Sequence, residues 1–186
     1  MGEEMIKRIF LDLDGVIRAW DSAVIELYDL NISQKDVSTW GALEERASNL
    51  HGISKKDFWE GQNQYFWEGL EFTDEAEGVL ALLDKTKLDV VLLTSPTMNN
   101  AGWSQSWIRK HLPTYFYSQK YLIGPCKYVC ANLESLLIDD AEKNIFPWVQ
   151  NGGVGFLFPR PWNQMRSRAA MPVKDLEDYL RMLRLI

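Results

Sequence analysis

Three short apolar runs along the chain each end in a polar or acidic residue. Residues 9–11 are followed by Asp12, residues 90–93 by Thr94, and residues 135–138 by Asp139. Apolar runs of this length are typical of strands buried in a parallel sheet, and each ends where the chain leaves the sheet. A weaker run at residues 153–158 is stopped by prolines. The pattern therefore predicts four strands.

Helical spacing of apolar residues fills most of the intervals between these runs. Asp74 and Glu77 are spaced as a capping pair ahead of a leucine-rich stripe. Further helices are predicted around Trp103 and Trp107, across residues 141–149, and across residues 173–186. Alternating strands and helices predict a Rossmann-like α/β fold, with a doubly wound and mainly parallel sheet.

Residues 18–73 do not follow this alternation. They are rich in aromatic side chains, and Ser33 and Ser54 are good candidates for helix starts. We therefore predict a core domain of residues 1–17 and 74–186, with a small helical cap of residues 18–73 inserted after the first strand.

Composition and charge narrow the classes of function. The 186 residues are 46% hydrophobic, which suffices for one good core plus a modest insertion. A net charge of -6 disfavours binding of duplex nucleic acid, which requires a basic face. The chain has neither an apolar run long enough for a membrane span nor a basic signal at its start, so we expect a cytoplasmic protein without membrane contact. Cys126 and Cys130 have no histidine nearby and are expected to be reduced thiols.

Asp12 and Asp14 are the strongest candidates for catalysis. They stand two apart where the first strand ends, and Gly15 after them lets the chain turn sharply beside a ligand. Asp12 is predicted to be a nucleophile and metal ligand, and Asp14 a general acid and base whose backbone carbonyl also binds the metal. The alternative of a calcium loop lacks the further oxygen ligands that such a loop needs, because Val16 and Ile17 follow.

Other strand ends carry groups that suit a phosphate and a metal ion. Thr94 could offer its hydroxyl and Ser95 its backbone amide to a phosphate oxygen. The acids at 139 and 140 repel each other unless a cation compensates them, and carboxylates without clustered histidine or thiolate favour Mg²⁺. Lys127 is our candidate for balancing the carboxylates and holding the phosphoryl group, with Lys120 as the alternative.

These motifs together resemble the four signature motifs of the haloacid dehalogenase-like hydrolase superfamily. The segments are residues 9–16, residues 93–95, Lys127 and residues 137–140, in order and across nearly the whole chain. The resemblance implies a phosphatase rather than a dehalogenase, because Asp14 fills the second acidic position of the first motif. It also implies that Asp140 binds Mg²⁺ directly, whereas Asp139 contacts the ligands of the metal and not the metal itself. The placement of the cap between the first strand and the second motif corresponds to the C1 type.

Within the superfamily the chain looks most like the 5'(3')-deoxyribonucleotidases and their phage and bacterial relatives. The similarity extends to residues 65–70, whereas Ala141 stands where that family often has an arginine. The resemblance implies that Trp40, Phe66 and Trp67 contact a nucleobase; the alternative is that they form the core of the cap. A basic segment at Arg160, Arg166 and Arg168 is expected to be solvated.

The sequence thus predicts a magnesium-dependent phosphomonoesterase that hydrolyses nucleoside or deoxynucleoside monophosphates through an aspartyl-phosphate. Its partner would be a small phosphorylated substrate, and a homodimer is left open. The alternatives are a polynucleotide 3'-end phosphatase, which shares the acidic motifs, and a non-catalytic binding module of the same fold.

Overall fold

The protein is an α/β fold built around one parallel sheet. The computed structural model describes residues 6–95 and 100–186. Within them five strands lie in the order β3-β2-β1-β4-β5, and every pair of neighbours is parallel. The strands are β1 (Arg8–Leu11), β2 (Asp89–Thr94), β3 (Tyr121–Ile123), β4 (Ser135–Asp139) and β5 (Val154–Leu157).

Helices flank this sheet, and the first four of them follow β1 in the chain. They are α1 (Trp20–Leu27), α2 (Ala42–His51), α3 (Lys55–Gly61), α4 (Gln64–Gly69), α5 (Ala76–Thr86), α6 (Ala101–His111), α7 (Thr114–Gln119), α8 (Glu142–Gln150) and α9 (Pro172–Met182), with short 3-10 helices at Gln34–Asp36, Lys127–Cys130 and Arg166–Arg168. Where the described residues form helices, none is both long and apolar enough to cross a membrane.

The central strand is buried on both faces, as its uninterrupted apolar run predicts. Ile9 and Leu11 belong to one hydrophobic cluster, whereas Phe10 belongs to a second cluster on the opposite face, with Trp148 of α8. Alternating side chains of a strand point to opposite faces, so helices must cover both sides of the sheet. The predicted doubly wound α/β fold is confirmed.

All four predicted strands are present, and β3 was missed. It has three residues, none of them fully buried, at the edge of the sheet. Its sequence is apolar, but three residues are too few to stand out as a strand. Residues 1–5, with the acidic start of the chain, and Pro96, beside the end of β2, lie outside the described residues.

The helix boundaries depart from the sequence predictions in two places. The capping pair of Asp74 and Glu77 is wrong: α5 begins after Glu75, without a side-chain cap. The Glu75 carboxylate is instead 2.9 Å from Arg160. The last helix ends at Met182 rather than at the end of the chain.

Residues 18–73 form helices α1–α4 and share their apolar side chains with the rest of the protein. Ser54 caps α3 as predicted, whereas Ser33 begins only a 3-10 turn. Both ends of the segment are held near the first motif: the Ala19 amide donates to the Glu71 carbonyl (3.0 Å), and the Thr73 hydroxyl donates to the Val16 carbonyl (2.8 Å). Its division from the core as a separate cap remains a prediction.

Candidate functional site

The acidic residues converge at the carboxyl edge of the sheet, where β1 and β4 lie side by side. The chain passes from β1 to β2 on one side and places β4 on the other, and such a switch in strand order leaves a crevice that typically binds ligands. The Asp12 amide donates to the Ile138 carbonyl (3.0 Å), which fixes the end of β1 against the end of β4. Asp12 therefore lies beside Asp139 and Asp140.

Asp12, Asp139 and Asp140 form a compact carboxylate cluster. One oxygen of each lies within 4.8 Å of the others, and all three residues are buried. Burial, reinforced by the charge of Asp139, raises the pKa of Asp12 from 3.8 to about 7, although the charge of Lys127 opposes this shift. Burial and the charges of Asp139 and Asp12 also raise the pKa of Asp140. The cluster is thus short of positive charge.

Lys127 supplies part of that charge from between two of the carboxylates. Its Nζ is 2.7 Å from Oδ1 of Asp12 and 2.6 Å from Oδ2 of Asp139, and its side chain is 1% exposed. Burial alone would lower the pKa of Lys127, but the charges of Asp12 and Asp139 outweigh burial, and the pKa is raised. Lys120 instead pairs with Asp89 at the start of β2. The structure brings Lys127 to the site and leaves Lys120 outside it.

The two adjacent acids at the end of β4, Asp139 and Asp140, differ in how many of their oxygens accept hydrogen bonds. Asp139 accepts from Lys127, from Asn144 Nδ2 and from the Ala141 amide, so both its oxygens are engaged. Asp140 accepts at Oδ2 from Trp162 Nε1 (2.7 Å), whereas its buried Oδ1 has no partner among the described residues. A buried carboxylate oxygen without a donor is unfavourable, and a cation would compensate it. The donor set therefore fits a hard divalent metal held by Asp12 and Asp140.

Gly15 lets the first motif pass close to this acid. Its φ is +76°, and a Cβ added there would lie 2.2 Å from Oδ2 of Asp140. Arg160 holds the same turn by donating from Nε to the Gly15 carbonyl. The expectation that Arg160 is solvated is wrong, because its side chain is buried between this turn and Glu75.

The Asp14 carboxylate pairs with an arginine, whereas that of Asp12 pairs with Lys127. Both its oxygens are 2.7 Å from the guanidinium of Arg18, one from Nε and one from Nη2. Arg18 is completely buried. Arg18 was missed in the sequence, because an arginine that pairs with an acid four positions before it usually lies on the surface.

Thr94 and Ser95 lie at the end of β2 and line the same cavity as Asp12 and Asp14. Thr94 is buried, and the Ser95 hydroxyl donates to the Gly124 carbonyl (3.2 Å). Asn100, at the start of α6, also lines the cavity and was missed. Its buried Oδ1 has no partner among the described residues.

The cavity above these residues has a volume of about 270 Å³, and tryptophans supply the aromatic part of its wall. Trp40 and Trp67, which were predicted to contact a nucleobase, line it, as do Trp20 and Trp59, which were not proposed as substrate contacts. The Trp20 ring stacks on those of Trp40 and Trp59, each at 5.6 Å between centroids. Phe66 is not among the lining residues and packs edge-on against Trp67.

Comparisons with solved structures show the same fold. A HAD family hydrolase from Deinococcus radiodurans R1, with bound phosphate and sodium, superposes with a TM-score of 0.63 at 11% identity, over 99% of each chain. A predicted phosphoglycolate phosphatase from Haemophilus somnus 129pt gives a TM-score of 0.60 at 16% identity, over 95% of this chain and 97% of the other. The HAD-hydrolase YfnB from Bacillus subtilis, bound to magnesium, gives 0.56 at 15% identity, over 81% and 86%.

The family comparison covers almost the whole sequence. No curated protein sequence matches the chain. The family model described as 5' nucleotidase, deoxy (pyrimidine), cytosolic type C protein matches residues 4–181. The match includes every motif that converges at the carboxyl edge of the sheet. The chain therefore belongs to this deoxynucleotidase family of haloacid dehalogenase-like hydrolases.

Proposed function

We propose that the protein is a magnesium-dependent phosphomonoesterase that hydrolyses nucleoside or deoxynucleoside monophosphates through an aspartyl-phosphate on Asp12. The observation that carries this proposal is the position of Asp12. Its carboxylate lies at the floor of an aromatic-lined cavity, 2.7 Å from a buried lysine and beside a buried acid with an unpaired oxygen. Membership of the deoxynucleotidase family supports the choice of substrate.

Asp12, Asp140 and the backbone carbonyl of Asp14 would hold Mg²⁺. The metal would neutralise charge on the phosphate group and on the acids around it. Asp139, whose oxygens are engaged by Lys127, Asn144 and the Ala141 amide, would keep Lys127 aimed at the site. The magnesium-bound Bacillus subtilis structure supports this choice of ion for the shared fold.

The remaining groups would divide the reaction between them. Lys127, the Thr94 hydroxyl and the Ser95 amide would bind the phosphate oxygens, and Asp12 would attack phosphorus. Asp14 would give a proton to the departing alcohol and then take one from the water that releases phosphate. Every step is thus assigned to a residue that lines the cavity.

The insertion at residues 18–73 would act as a cap that selects the leaving group. It contributes Trp20, Trp40, Trp59 and Trp67 to the cavity wall. An aromatic side chain that stacks on a base stabilises binding by about 1 to 3 kcal/mol. The net charge of -6 disfavours the phosphate backbone of a polymer and so favours a mononucleotide.

A panel of phosphate esters tests this proposal. The panel contains 5'- and 3'-mononucleotides, sugar phosphates and 3'-phosphorylated oligonucleotides, each assayed for phosphate release with Mg²⁺ or with a chelator. We expect magnesium-dependent turnover of mononucleotides that is lost in Asp12→Asn. Activity confined to oligonucleotides would favour a 3'-end phosphatase instead. Thermal stabilisation by Mg²⁺ without any turnover would favour the binding module.

A further inference from the structure

Arg18 is a buried cation whose contacts converge on Asp14. Its Nε and Nη2 are each 2.7 Å from a different oxygen of that carboxylate, and its side chain has no exposed surface. A guanidinium that binds both oxygens fixes the plane of the carboxylate as well as its position. Asp14 itself is partly exposed to the cavity.

The guanidinium is in turn held from several sides. Its central carbon lies 5.3 Å from the ring centroid of Trp67 in α4 and 5.3 Å from that of Trp107 in α6. Both terminal nitrogens lie 3.4 Å from Oγ of Ser104, also in α6. Trp107 is fixed by a hydrogen bond from its Nε1 to the Leu70 carbonyl (2.6 Å). Arg18 therefore has little freedom to rotate, and its position depends on both the insertion and α6.

The backbone places Arg18 within the same turn as the acid that it binds. The Arg18 amide donates to the Leu13 carbonyl (2.8 Å), and its carbonyl accepts from the Gly15 amide (3.0 Å). An ion pair four residues apart on a protein surface contributes little. This one is enclosed by two tryptophan rings at the edge of the reaction cavity, so a positioning role explains its burial.

We propose that Arg18 is a positioning residue that sets the geometry in which Asp14 protonates the leaving group. The inference rests on the proposed function, in which Asp14 is the general acid. In that step the bond from Asp12 to phosphorus forms, the ester bond from phosphorus to oxygen breaks, and the Asp14 proton moves to the departing oxygen. In the structure Arg18 donates to both Asp14 oxygens. When Asp14 carries the proton, the protonated oxygen turns its O–H to the substrate and gives up its contact with Arg18, while the hydrogen bond to the other oxygen keeps the carboxyl group in position.

The choice of leaving group isolates this step. A nucleoside must leave with a proton, whereas p-nitrophenolate leaves readily as an anion. For both esters kcat/KM reports only the steps up to departure of the leaving group, because the aspartyl-phosphate is hydrolysed afterwards. A misplaced acid should therefore lower kcat/KM for a deoxynucleoside monophosphate and spare p-nitrophenyl phosphate. General damage to the fold should lower both equally.

The test compares Arg18→Met with wild type on these two esters at saturating Mg²⁺. We expect kcat/KM for the nucleotide to fall about 100-fold, while that for p-nitrophenyl phosphate changes little. Arg18→Lys should recover only part of the loss, because lysine keeps the charge but cannot bind both oxygens in a fixed plane. Adding Arg18→Met to Asp14→Asn should not change the ratio of the two kcat/KM values any further.

Two controls keep the result decisive. Arg46→Met removes an arginine that binds the Leu30 carbonyl and does not line the cavity, so the ratio should match wild type. Ser104→Ala removes a contact of the guanidinium without removing its charge. It should shift the ratio of the two kcat/KM values in the same direction as Arg18→Lys. If Arg18→Met does not fold, these two variants decide the question. Equal losses on both esters would overturn the proposal. A wild-type protein inactive on both would refute the proposed function, and this inference with it.

Discussion

Replacing Lys127 by methionine removes a buried cation from between two buried carboxylates. Its Nζ lies 2.7 Å from Asp12 and 2.6 Å from Asp139, and all three side chains are at least nine-tenths buried. Breaking a buried ion pair by removing one partner costs about 3 to 5 kcal/mol. A domain of this size loses about 2 to 4 °C in Tm per kcal/mol, so we expect Tm to fall by about 6 to 20 °C.

The matched control is Lys120→Met, which breaks the more exposed pair with Asp89. That lysine side chain is 36% exposed, and pairs of this kind contribute about 0 to 1 kcal/mol. Both variants are compared with wild type by thermal and urea unfolding in the presence of a chelator. Equal stability of the two variants would refute the argument that Lys127 compensates the carboxylate cluster.

Magnesium provides a second arm of the same experiment. Lys127→Met keeps the three carboxylates of the cluster. A divalent cation that binds only the folded protein stabilises that protein, and the stabilisation increases with the concentration of the cation. We expect saturating Mg²⁺ to raise the Tm of Lys127→Met and of wild type. Asp140→Asn, which removes the acid with the unpaired oxygen, should abolish that rise. A rise unchanged by Asp140→Asn would contradict the proposed metal site.

Three further outcomes follow from the structure. Gly15→Ala should destabilise the protein more than Gly52→Ala in thermal unfolding, because both glycines have positive φ but only the first would clash with Asp140; equal losses would contradict the clash. Burial raises the pKa of Asp12 to about 7, so the folded metal-free protein binds a proton that the unfolded chain releases. Stability should fall by about 2 kcal/mol between about pH 5.5 and about pH 7.5, and Asp12→Asn should make that fall in urea titrations smaller without abolishing it, because the pKa of Asp140 is raised as well; an unchanged fall would contradict the assignment to Asp12. Trp40→Ala should raise KM for nucleotides about 10-fold without changing that for p-nitrophenyl phosphate, from the stacking energy of one base; a parallel change for both would make Trp40 structural.

The sequence predicts the parts of the fold that depend on local pattern. The strands β1, β2 and β4 are apolar runs that end in acids or hydroxyls, because parallel strands buried on both faces need such composition. An edge strand is not under that constraint, and β3 with its three partly exposed residues was therefore missed. The start of α5 was placed wrongly: the helix begins at Ala76, and Glu75 before it pairs with Arg160, a contact between residues far apart in the chain that no local pattern reveals.

The candidate site likewise contains residues that the sequence predicts and residues that it does not. Asp12, Asp139 and Asp140 were expected together, since residues at the carboxyl ends of neighbouring strands must meet. Lys127 was expected there to balance their charge, with Lys120 as the alternative, and the structure brings Lys127 to the three acids. Arg18 could not be foreseen in the same way. Its burial depends on Trp67 and Trp107, which reach it from two helices, and no local pattern distinguishes it from a solvated arginine.

The most direct test of the central claim is to look for the phosphoryl group on Asp12. Protein mixed with a radiolabelled deoxynucleoside monophosphate and Mg²⁺ is quenched in acid within milliseconds, and the labelled peptide is mapped by mass spectrometry. We predict label on the peptide that contains Asp12, none in Asp12→Asn, and none with a chelator. Nucleotide hydrolysis that proceeds at the wild-type rate in Asp12→Asn, with no labelled peptide in either protein, would contradict the account.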